Sequence, residues 1–112
     1  MNRIVFSLLA LLAASTAAFA CQVVLAPPPS NTVLPIISGT AQVGLVATAV
    51  KGAWTGATTI TDQWIYLDTG AAIAGATNLT YTFVAADVGH TIALKESGTN
   101  TIGTTTVTSA CL

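Results

Sequence analysis

Charge is what this sequence has least of. Three Lys and Arg stand against four Asp and Glu, so charged residues are 6% of the chain, compared with roughly 25% in ordinary soluble domains. A net charge of −1 gives no long-range field, and Lys51 and Lys95 are too few to hold a phosphate backbone, so nucleic acid is excluded as a partner. Histidine occurs once and cysteine twice, fewer ligands than a zinc site requires. No phosphate-cradling glycine loop, dinucleotide-binding glycines or basic stripe is present. No cofactor and no metal are therefore expected. No long helical hydrophobic period appears after the first 30 residues either, which argues against a helical domain.

What the chain does have is an apolar start. Arg3 precedes a run, residues 4–14, that only Ser7 interrupts, and small residues then end in Ala18-Phe19-Ala20. A basic start, an apolar middle and an A-x-A end form the layout of a secretory signal peptide, here a hydrophobic helix cleaved after Ala20. Two other fates stay open. Cys21 directly after that point makes a lipidation site, with Pro27-Pro28-Pro29-Ser30 as a stiff tether, although Ala18 stands where such signals usually carry Leu. Retention is the other, since residues 4–26 are uncharged and long enough to span a membrane. Membrane contact is expected only in these last two cases. Residues 1–20 are thus read as a signal or retained segment, 21–31 as a Pro-rich linker and 32–112 as one domain. The chain is expected to be exported.

Cys21 and Cys111 bracket the folded region, and both fit an oxidising compartment. Paired, they close a loop of about 90 residues, which stabilises by about 4 to 5 kcal/mol through chain entropy. Lipidation of Cys21 excludes that bond, and two unpaired thiols near the ends are the other reading.

The domain reads as short strands between turn residues. Thr58, Thr59, Thr104, Thr105, Thr106 and Thr108 supply an uncharged polar face, and Thr favours strands. Residues 31–38 form a first strand, placed at an edge by Pro35. Residues 45–50 alternate, with Leu45, Ala47 and Ala49 on one face. Residues 60–67 are the strongest strand, with Asp62, Trp64 and Tyr66 on the face opposite Ile65 and Leu67. A short strand is expected around Ile73, another carries Leu79, Tyr81 and Phe83, and residues 85–89 make a corner. Residues 91–96 and 104–108 pair as the last hairpin around residues 98–103. About seven strands at this spacing predict an all-β antiparallel sandwich or small barrel.

Catalytic equipment is sparse. His90 follows Gly89 at a turn and reads as a solvated loop residue. Ser97 and Asp87 complete a polar trio with it on paper, but a Thr-rich chain contains such trios by chance. Asp62, Asp68, Asp87 and Glu96 read as solvated groups at turns and strand ends rather than a carboxylate pair. Asn78-Leu79-Thr80 matches a glycosylation sequon. No catalytic residue is assigned, and the chain is not expected to be an enzyme. Loop tips are the expected contact surfaces: Trp54 between Gly52 and Gly56, Asp68 and Thr69 before Gly70, and Asn100 in the last hairpin. Trp54 is either an exposed anchor for a protein or glycan surface or a lid folded back on the core.

Six segments in order carry a family resemblance: Ser38-Gly39-Thr40-Ala41-Gln42-Val43-Gly44, Trp54-Thr55-Gly56, Gln63-Trp64, Ile73-Ala74-Gly75-Ala76-Thr77, Thr80-Tyr81-Thr82 and Ala86-Asp87-Val88-Gly89. Together, across residues 33–108, they resemble the immunoglobulin-like repeats of bacterial surface proteins and tailed-phage structural proteins. The resemblance implies an immunoglobulin-like sandwich that extends adhesins, decorates capsids or sits on tails. Protein or glycan surfaces, self-assembly and virion proteins are the partners it implies, and a virion is the alternative location. By position, Trp64 resembles the buried Trp of the third strand, and Asp87 and Gly89 the corner before the sixth. Thr91 and Ala93 replace the corner Tyr and second Cys of antibody domains. The core is therefore expected to rest on Trp64, Tyr81 and Phe83.

Overall fold

The computed structural model describes residues 26–112. The expected N-terminal helix, its cleavage point and Cys21 lie outside the described residues. The remainder is all-β, with eight strands in three antiparallel sheets. β1 (Ser30–Val33) pairs with β4 (Ala53–Thr55) in a two-stranded ribbon. β3 (Val46–Val50) lies between β2 (Ile36–Ser38) and β6 (Thr80–Thr82). β7 (Ile92–Thr99) lies between β5 (Thr59–Tyr66) and β8 (Thr104–Thr108).

The first strand differs from expectation. Residues 31–38 split at Leu34-Pro35 into β1 and β2, which pair with different partners. Proline has no N–H to continue a ladder, so the chain changes partner there, and Pro35 itself is fully buried. β1 also begins at Ser30, inside the expected linker. Around Ile73 no separate strand forms, but residues 71–76 run beside β5. Ile73 N–H donates to Trp64 O (2.9 Å), Trp64 N–H to Ala76 O (2.9 Å) and Tyr66 N–H to Ala71 O (2.9 Å). Gln63 reinforces this edge by donating to Ile73 O at 2.7 Å. The corner is a single 3-10 turn, Ala85–Asp87.

The core draws on both three-stranded sheets. Ala47 and Ala49 of β3 meet Trp64 of β5, Leu94 and Ile92 of β7, and Phe83 and Ala76. Small alanines on β3 leave the volume that the Trp64 indole fills, as close packing demands. Trp64 is fully buried, and its Nε1–H donates to Asn78 O at 2.7 Å, satisfying the one polar atom it carries inside. Tyr81 stacks on it at 5.6 Å and meets Phe83 edge-on at 5.8 Å. Phe83 is buried, while Tyr81 is half-buried at the rim.

Candidate functional site

β5 turns Asp62, Trp64 and Tyr66 to one face, because alternate residues of a strand point the same way. The apolar Trp64 therefore has a polar cluster on each side of it along the strand.

The first cluster centres on Glu96. The β5–β7 register sets Asp62 directly across from Glu96. Asp62 is 9% exposed and Glu96 not at all. Glu96 Oε1 accepts hydrogen bonds from Trp54 Nε1–H (2.6 Å) and Gly52 N–H (3.0 Å). Lys51 Nζ, 43% exposed, lies 3.1 Å from Asp62 Oδ2. Burial, and then the neighbouring Asp62, push the Glu96 carboxyl above the usual glutamate range. Two glycines make the approach possible. A Cβ on Gly52 would collide with Val33 O and Glu96 Oε1, and one on Gly98 would lie 2.6 Å from the Trp54 ring.

The second cluster centres on Asp87, which is also buried. Its carboxylate accepts from Tyr66 Oη–H (2.7 Å), Tyr81 Oη–H (2.8 Å) and Val84 N–H (2.8 Å). Burial alone would raise the Asp87 carboxyl. The Val84 N–H and the two tyrosine hydroxyls outweigh it and hold the group below the usual aspartate range. The same contacts push both tyrosines up, Tyr66 chiefly through the Asp87 hydrogen bond and Tyr81 chiefly through burial. His90 stacks on Tyr66 at 4.3 Å, and its Nδ1 lies 2.8 Å from Asp68 Oδ2. That contact holds Asp68 below the usual range. A cavity of about 210 Å³ opens beside Asp87 and His90, walled by Phe83, Val88, Ile92 and Leu112.

Several expected positions change. Asp62, Asp87 and Glu96 are buried and bonded rather than solvated: Lys51 reaches Asp62, the Gly52 N–H and Trp54 indole reach Glu96, and two tyrosines with the Val84 N–H reach Asp87. His90 is an exposed loop residue as expected, and there it meets Asp68 and stacks on Tyr66. Trp54 lies in β4 rather than on a loop tip, half-buried, with its ring on Gly98. The last hairpin is tighter than expected, since Gly98 and Thr99 extend β7. Asn100 caps the tip: its Oδ1 accepts from Ile102 N–H (2.8 Å) and Gly103 N–H (3.1 Å), and its Nδ2 donates to Pro27 O (2.8 Å). Asp68 and Thr69 are exposed at their turn, where Thr69 Oγ1 accepts from Ala71 N–H at 3.3 Å. Ser97 hydrogen-bonds Thr106 at 3.0 Å, on the face of the sheet opposite Glu96, and forms no trio with His90 and Asp87. Cys111 is exposed. No group of three or more potential metal ligands occurs among the described residues.

Sequence reasoning missed the Asp62–Glu96 pair and the three bonds on Asp87. The one signal for the first was Asp62 on the face of Trp64. No family model matches the chain, and no curated protein or solved structure matches it.

Proposed function

We propose that this domain is an immunoglobulin-like β-sandwich that serves as a non-catalytic binding module at a cell or particle surface. The β2–β3–β6 and β5–β7–β8 sheets contribute to one core around Trp64, which supports the sandwich reading. Asp87, His90, Asp62 and Glu96 are occupied by internal partners, which favours a fastening role over chemistry.

The observation that carries the binding role is an exposed aliphatic pair. Ile36 and Val50 lie directly opposite one another on β2 and β3, 61% and 62% exposed, with Val46 further along the same face of β3 at 50%. Adjacent aliphatics left in water on one face of a strand pair support a contact surface there, and their chemistry suits a protein partner. The outward face of the other sheet is different. Thr59, Thr99 and Thr104 form one row and Thr61, Ser97 and Thr106 the next. Those uncharged hydroxyls keep that face wet in a chain with few charges.

Replacing Ile36 and Val50 together by Lys tests the role. Binding of the domain to cells or phage particles is expected to fall at least tenfold with the melting temperature nearly unchanged. Undiminished binding by a folded variant overturns the assignment of this face. Mass spectrometry of the mature N-terminus tests export: a start at Gln22 or beyond, or an unmodified Met1, overturns cleavage after Ala20.

A further inference from the structure

We infer that Asp62 and Glu96 share a single proton between Asp62 Oδ1 and Glu96 Oε2, and that this proton makes a pH-sensitive fastener holding the β1–β4 ribbon to β7. The donors around the pair are accounted for atom by atom. Gly52 N–H and Trp54 Nε1–H both go to Glu96 Oε1, and Lys51 goes to Asp62 Oδ2. One oxygen of each carboxyl, Asp62 Oδ1 and Glu96 Oε2, is then buried with no donor among the described residues. Two orphaned acceptors on directly opposed residues share one remedy. A carboxylic acid O–H on either residue donates to the other and satisfies both atoms at once.

The alternative charge state is costly. Two ionised carboxylates side by side away from water repel each other strongly. Lys51 is the cation that faces them, and it is nearly half in water. Lys95, next to Glu96 in β7, sits across from Gln63 on the opposite face of the sheet. β8 presents Val107 opposite Glu96. From β1, the Asn31 side-chain amide donates to Val33 O and Ala53 O, and from β4 comes only the neutral indole. Nothing charged on the packed elements replaces the proton once it leaves. Glu96 cannot turn to water without displacing Trp54, because that indole bonds Oε1 and lies on Gly98. Loss of the proton leaves two carboxylates repelling each other beneath the indole. That repulsion, working against the firmer hold an ionised Glu96 has on the Trp54 N–H, opens the gap between β4 and β7 to water.

Carboxyl-carbon NMR of the ¹³C-labelled full chain, with the Trp54 indole N–H signal followed through the same pH series, tests this. Glu96 is expected to titrate above the ordinary glutamate value of about 4.3. The Trp54 indole signal should move at that same midpoint. Glu96→Gln places an amide donor where the acid proton was, so it should keep the indole bond and remove the Trp54 step. Titration of Glu96 at or below the ordinary glutamate value overturns the inference, as does a Trp54 step that survives in Glu96→Gln. If Glu96→Gln does not fold, the wild-type titration decides.

Discussion

Asp87 gathers three donors that lie up to 21 residues away in sequence, and its removal strands all three. Asp87→Ala is expected to cost about 1 to 3 kcal/mol in chemical denaturation, because three part-buried donors lose their acceptor at once. Its charge also sets a pH dependence. The folded pKa is depressed, so the stabilisation is complete above the unfolded value of about 3.9 and is lost as pH falls through the lower folded value. Glu96 has the opposite sign. Its folded pKa is raised, so its contribution is present below about 4.3 and is lost as pH rises through the folded value. Thermal melts across acidic and neutral buffers should show Asp87→Asn flattening the acid limb and Glu96→Gln flattening the other. Trp64 was legible in the sequence, since an alternating strand puts a Trp inside. The buried acids were not, since carboxylates usually face water; only the β5–β7 register brings Asp62 and Glu96 together, and only the corner's fold brings Tyr66 and Tyr81 to Asp87. Trp64→Ala should cost about 3 to 5 kcal/mol by loss of buried aromatic volume.

At the scale of elements, the strands themselves were readable and their partners were not. Alternation gave the two faces of β3, and for β5 and β6 the faces that carry Trp64 and Tyr81 inward, because a half-buried strand writes its period into the chain. Pairing is non-local, so the division of residues 31–38 between two sheets left only Pro35 as a trace. Gly98 looked like turn punctuation and is instead a strand residue beneath an indole. Two glycine substitutions separate these roles. Gly98→Ala drives a methyl into the Trp54 ring and should cost about 1 to 3 kcal/mol, as overpacking does. Gly103→Ala meets nothing within 4 Å and should leave the melting temperature nearly unchanged. Equal effects of the two changes would remove Trp54 as a lid on β7.

For the whole molecule, the all-β class followed from composition, because a Thr-rich chain without helical period has few other ways to bury its apolar residues. The proposed tie between Cys21 and Cys111, which holds only where Cys21 is not lipidated, rests on the sequence, and thiol labelling of non-reduced protein measures it: no reactive thiol is expected in unlipidated protein, and two per chain refute the bond. The row Asp62, Trp64, Tyr66 carries a further consequence for how the chain reaches its final state. A slip of β5 by two residues against β7 keeps every side chain on its proper face, so alternation alone does not forbid it. Such a slip, however, strands Glu96 opposite Trp64 or Ile60 and separates Tyr66 from Asp87. The polar markers at both ends of the row thus act as a ruler, penalising frame-shifted intermediates that hydrophobicity would accept. Variants with both ends neutralised should refold with added slow phases as misaligned ladders unzip and try again.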